Sequence, residues 1–155
     1  MECWPETEVV WAPDLDDKPK FKVVIIYEDR ATGRRAKDFY NKLIHELEDE
    51  CDFSLELWNF QVLAIPEFGE SAAETAARAD FVILSLHGKA GLPEEIREWI
   101  ETWSGLIVDT GPALIALVDK AVTSRGKSDS ALAYLRRVAN RTGIDFFGHT
   151  FSSRI

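Results

Sequence analysis

Glu28 and Asp29 are adjacent carboxylates at the end of a short apolar run, and Asp119 closes a second run of the same kind. Carboxylates gathered this way suit a hard cation such as Mg²⁺, which takes oxygen ligands and retains water. A solvated acidic loop is the competing reading. Ser85, His87 and Asp119 are the residue types of a hydrolytic triad, and His149 is a second histidine near the end of an apolar run. Ser85 and His87 are two apart, so they share a side only while the strand continues. The chain has no Gly-x-Ser-x-Gly elbow, so polar ends of buried strands are the favoured account of these residues.

Thr32-Gly33-Arg34-Arg35 opens a helix, and helix N-termini attract anions. With Trp58 and Asn59 at the end of a neighbouring strand, Thr32, Gly33 and Arg34 are candidate ligand-binding residues. No Walker A or Gly-x-Gly-x-x-Gly element occurs, and no flavin or nucleotide is expected. Mg²⁺ is the one cofactor the acids would accommodate.

These residues depend on elements that bring them together. Phe21–Tyr27 is β-branched and almost wholly apolar, as a strand buried on both faces reads. A helix is predicted over 34–49, with Ala36, Phe39, Tyr40, Leu43, Ile44 and Leu47 on one face and Thr32 as its cap. Phe53–Trp58 alternates and predicts a strand nearer an edge. Pro66 and Gly69 mark a loop, and Ser71 starts a short alanine-rich helix. Phe81–Leu86 is a third strand. Pro93, Glu94 and Glu95 begin a helix that buries Ile96, Trp99, Ile100 and Trp103. Pro112–Val118 is a fourth strand, Ala131–Arg141 a helix, and Ile144–Phe147 begins a fifth strand. Alternation of this kind predicts an α/β fold: a flavodoxin-like, doubly wound, five-stranded parallel sheet in the order 2-1-3-4-5, with helices on both faces. Ligands and reactive groups gather at the carboxyl ends of such strands.

Composition narrows the function classes. The chain has 155 residues, 46% of them hydrophobic and 29% charged, enough for one domain with a sizeable core. Its net charge of -9 argues against a nucleic-acid partner, since phosphates demand a basic face. No apolar run reaches the roughly 18 residues of a membrane span, and no signal-peptide core is present, so a cytoplasmic location is the default. Cys3 and Cys51 have no motif spacing. Residues 1–20 read as an acidic extended arm, and 21–155 as the folded domain. The arm carries Glu2, Glu6, Glu8, Asp14, Asp16 and Asp17, together with Trp4 and Trp11. Five tryptophans in the whole chain point to a protein partner or a homodimer, because tryptophan is enriched at interfaces.

The chain resembles response-regulator receiver domains over most of residues 21–151. Tyr27-Glu28-Asp29 stands where that family's acidic pair holds Mg²⁺. Asp80-Phe81-Val82-Ile83-Leu84-Ser85 repeats the family's third strand, with Ser85 in place of the phosphoacceptor aspartate. Asp145-Phe146-Phe147-Gly148-His149-Thr150-Phe151 keeps the fifth-strand frame, with His149 in place of the lysine. Val118 or Asp119 stands at the family's Thr/Ser position. The resemblance implies a signalling domain that has lost phosphotransfer, because a serine hydroxyl is a poor nucleophile without an activating base. A weaker likeness is to TIR-type domains, whose NAD-cleaving members use a Glu on the helix after the third strand; Glu94, Glu95 and Glu98 are the residues it would implicate. Two functions follow. One is a non-enzymatic signalling or protein-interaction module. The other is a small hydrolase or transferase acting on a nucleotide or phosphate ester at the strand ends.

Overall fold

The computed structural model describes residues 19–47, 49–88, 91–108, 111–119 and 127–151, with backbone only at 127–130. Residues 1–18 of the acidic arm, Cys3 among them, lie outside the described residues, and Lys20, the last residue of the expected arm, opens β1. In chain order the elements are β1 (Lys20–Tyr27), α1 (Arg30–Leu47), β2 (Asp52–Asn59), α2 (Phe60–Leu63), α3 (Pro66–Ala77), β3 (Phe81–Leu86), α4 (Glu94–Leu106), β4 (Ala113–Asp119), α5 (Lys127–Thr142) and β5 (Phe146–Phe151).

All neighbouring strands pair parallel, in the order β2-β1-β3-β4-β5. This is the flavodoxin-like order expected from the alternation. Right-handed crossovers then divide the helices. Only the connection from β1 to β2 runs one way across the sheet, and the later ones run the other way. Accordingly Val23, Ile25, Ile83, Ile115 and Leu117 pack beneath Ala36 and Tyr40 of α1. Val24, Ile26, Val82, Leu84, Leu114, Ala116 and Val118 form the opposite face, under α2 to α5. Every second residue of β1, β3 and β4 therefore points towards α1, and continuing that parity past the strand ends places Ser85, His87 and Asp119 on one side.

Several boundaries differ from the sequence expectation, each for a local reason. α1 starts four residues early because Asp29, not Thr32, caps it. α3 starts at Pro66, whose fixed φ suits a first helical turn. Gly69 lies inside that helix instead of in a loop, and its glycine serves a close approach: a Cβ there would strike the backbone carbonyl of Leu63. The Gly69 carbonyl accepts a hydrogen bond from Trp99 Nε1 (2.8 Å), which joins α3 to α4. α2 is an additional single turn, capped by the Asn59 side chain accepting from the Gln61 N–H. β5 starts later than expected. Gly143 (φ 79°) and Ile144 both donate to the Ala139 carbonyl, so Ile144 closes α5 and does not open the strand. No helix among the described residues is long and apolar enough to cross a membrane.

Candidate functional site

The turn from β1 into α1 sets the first carboxylates. The Thr32 N–H donates to Asp29 Oδ1 (2.9 Å), while Thr32 Oγ1 accepts from the N–H groups of Asp29 (2.9 Å) and Glu28 (3.0 Å). This reciprocal pattern is a capping box. It uses the Thr32 hydroxyl, which is buried, and leaves Asp29 Oδ2 free to face the neighbouring strand end.

Arg35 lies one turn further along α1, on its sheet-facing side. Its Nη1 donates to Asp119 Oδ1 (2.5 Å), and its Nη2 donates to the carbonyls of Leu86 (2.8 Å) and Leu117 (3.0 Å). One guanidinium thus ties the ends of β3 and β4 to α1. Its planar fork suits this multiple bonding. The Phe151 ring lies 4.7 Å from its central carbon.

His87 completes the cluster. Its Nδ1 is 2.9 Å from Asp119 Oδ2, and its Nε2 is 2.8 Å from Asp29 Oδ2. Its backbone N–H donates to Glu28 Oε1 (2.9 Å). An ionised carboxylate can only accept, so a ring held between two of them must donate from both nitrogens. That ring is the imidazolium. Burial on its own lowers the His87 pKa, but the bonds and charges of Asp119 and Asp29 outweigh it and raise the value above 6.5. Burial alone would raise Asp29 and Asp119. Thr32 and His87 hold Asp29 low instead, and Arg35 and His87 hold Asp119 low. An NMR titration of the His87 ring should give a midpoint above that of a free histidine, falling in Asp29→Asn. An unshifted midpoint that ignores the substitution would show that the ring is not clamped.

The structure brings six of the sequence candidates to this point: Glu28, Asp29, Thr32, Ser85, His87 and Asp119. The bond from His87 to Asp119 is the one a triad would need. Ser85 is fully buried, however, and its Oγ lies under Arg35 Nη2 at 3.4 Å. His149 is inside β5, not at its tip, in register with Leu117. Its ring packs on Phe39 (5.6 Å) and Phe151 (6.4 Å). Trp58 packs on the opposite face and donates to Glu56 (3.1 Å). Gly33, Arg34 and Asn59 line a separate pocket beside β2. Glu95 and Glu98 line a groove between α3 and α4, and Glu94 is in the first turn of α4. Among the described residues, no group of three or more His, Cys, Asp or Glu side chains is arranged to hold a metal ion. The carboxylates of Asp29 and Asp119 face an imidazolium and a guanidinium, a donor set that does not fit Mg²⁺.

Arg35 is the participant that the sequence candidates lack. Its signal was its position: it falls on the same helical stripe as Phe39, where a cation needs a carboxylate opposite.

No protein-family model and no curated protein matches the chain. Among solved structures it is similar to one described as the Trp repressor binding protein from Bacillus subtilis. The TM-score is 0.53 at 12% sequence identity, covering 85% of this chain and 85% of that one. At that identity the likeness shows the flavodoxin-like fold alone.

Proposed function

We propose that the chain is a non-enzymatic signalling or protein-interaction module, a receiver-like variant of this fold that works without aspartyl phosphorylation. The observation that carries the reading is the clamped His87. An imidazolium and a guanidinium lie among the carboxylates where a receiver would place Mg²⁺ and a phosphoryl group. The acceptor position holds Ser85, a hydroxyl sealed beneath Arg35. The cation that a receiver takes from its fifth strand comes here from α1. A strand-tip surface locked by its own ion pairs presents one fixed shape, which suits recognition by a protein partner, a second copy of the chain included. A resident cofactor is not part of this reading.

The His87–Asp119 bond favours a second reading, the small hydrolase or transferase acting on a phosphate ester. That role needs His87 to accept a proton, and two flanking carboxylates oppose its release. Incubation with acetyl phosphate and Mg²⁺, followed by intact mass, separates these readings from an active receiver. The chain is expected to gain no phosphoryl group. Stoichiometric labelling would overturn the proposal. Turnover of a phosphate ester that disappears in His87→Gln would replace it with the second reading.

A further inference from the structure

A second feature lies on the other side of β1 from the His87 cluster. Acids outnumber bases 27 to 18 in this chain, yet Arg30, Arg34 and Lys37 form an exposed basic stripe along α1. Their spacing places them on one helical face, where like charges repel. None of the three makes an ion pair with any described residue, whereas the adjacent Arg35 is paired with Asp119. Three cations without an ion-pair partner among the described residues, on one face of an acidic protein, are a cost that an anionic ligand would remove.

The stripe borders a pocket of about 500 Å³, within the range of small-molecule sites. Tyr27, Leu57 and Asn59, at or near the carboxyl ends of β1 and β2, form the rest of its wall. Leu57 is 47% exposed on the edge strand and offers an apolar surface to the pocket. Tyr27 is half-buried, and its ring lies so close to Gly33 that a Cβ there would come within 2.8 Å of it. The absent side chain at Gly33 is what lets this ring settle against α1. One wall is therefore cationic and the other presents an aromatic ring and a leucine. Asp38 is the single acid in the lining. It is placed to accept from a hydroxyl or an N–H, not to neutralise three cations.

We propose that this pocket binds a phosphorylated small molecule carrying a planar ring, with a nucleoside diphosphate as its simplest form. Arg30, Arg34 and Lys37 take the phosphates, Arg34 being suited to two parallel bonds. Tyr27 and Leu57 cover the ring. The site lies between β1 and β2, off the β1–β3 switch point where sheets of this order usually bind ligands. It does not depend on the module reading, because it shares no side chain with the His87 cluster.

The test is calorimetric titration of the full chain with ADP, GDP and UDP, and separately with inorganic pyrophosphate. At least one nucleotide should bind tenfold or more tighter than pyrophosphate. Arg34→Gln and Lys37→Gln should each weaken that nucleotide about tenfold, or about 1.4 kcal/mol. Both side chains are exposed, so the melting temperature without ligand should not fall. Leu57→Asn should weaken the nucleotide and leave pyrophosphate unaffected. Equal affinity for pyrophosphate and every nucleotide would overturn the ring subsite. Binding indifferent to Arg34 and Lys37, or no saturation by any nucleotide at millimolar concentration, would overturn the site itself.

Discussion

Asp119→Ala is expected to destabilise the domain by about 3 to 5 kcal/mol, the range for removing one partner of a desolvated ion pair. The Asp119 side chain is 14% exposed and that of Arg35 is 18% exposed. The substitution leaves a guanidinium and an imidazolium together with little water to screen them. The melting temperature should drop by roughly 10 °C. Combining Arg35→Met with Asp119→Ala should recover part of the loss, since it removes the uncompensated guanidinium but takes the donor from the Leu86 and Leu117 carbonyls. A double-mutant cycle in urea measures this directly; additive losses would show that the two residues are not coupled. The effect also has a pH signature. Asp119 is held below its ordinary 3.8, so its contribution is present above that value and is lost as pH falls through the folded-state pKa. His87 is held above 6.5, so its contribution is complete below 6.5 and is lost as pH rises through the raised value. The gap between wild type and Asp119→Ala should therefore be widest between the two titrations and narrow on either side.

Trp103→Ala is expected to cost about 3 to 5 kcal/mol as well, through a different mechanism. Trp103 is 1% exposed and stacks on Trp99, with ring centroids 6.0 Å apart and planes 7° from parallel. Its truncation empties the space between α4 and the sheet. Trp103→Phe should be much milder. Trp103 Nε1 is buried without a hydrogen-bond partner among the described residues, so replacing the indole removes an unpaired donor along with some volume. Trp99→Phe should cost more than Trp103→Phe despite the same chemistry, because it removes the buried hydrogen bond to the Gly69 carbonyl that joins α3 to α4. Equal losses for the two phenylalanine variants in a denaturant series would contradict this assignment.

The fold was legible from pattern alone where the pattern was strong. Phe81–Leu86 is a strand as read, and Phe21–Tyr27 is β1 less its first residue. Burial on both faces leaves a continuous apolar run, and the handedness of crossovers then restricts the strand order. Legibility declined where a local signal served a distant contact. Gly69 and Pro66 read as a loop, but the proline opens a helix and the glycine within it makes room for the Leu63 carbonyl. Gly148-His149-Thr150 reads as a strand end, yet it continues β5 because β4 supplies its hydrogen bonds.

The candidate site divides the same way. By itself the sequence determined which acids, hydroxyls and histidines stand near strand ends, since those ends follow from where apolar runs stop. Only the tertiary structure decided which of them meet. Asp29, His87 and Asp119 come from three strand ends separated by 58 and 32 residues, and Arg35 reaches them from a helix. Their convergence depends on strand register, on the facing set by side-chain parity, and on one capping turn that leaves a single oxygen of Asp29 free. Those quantities are set by packing between elements, and no spacing along the chain encodes them.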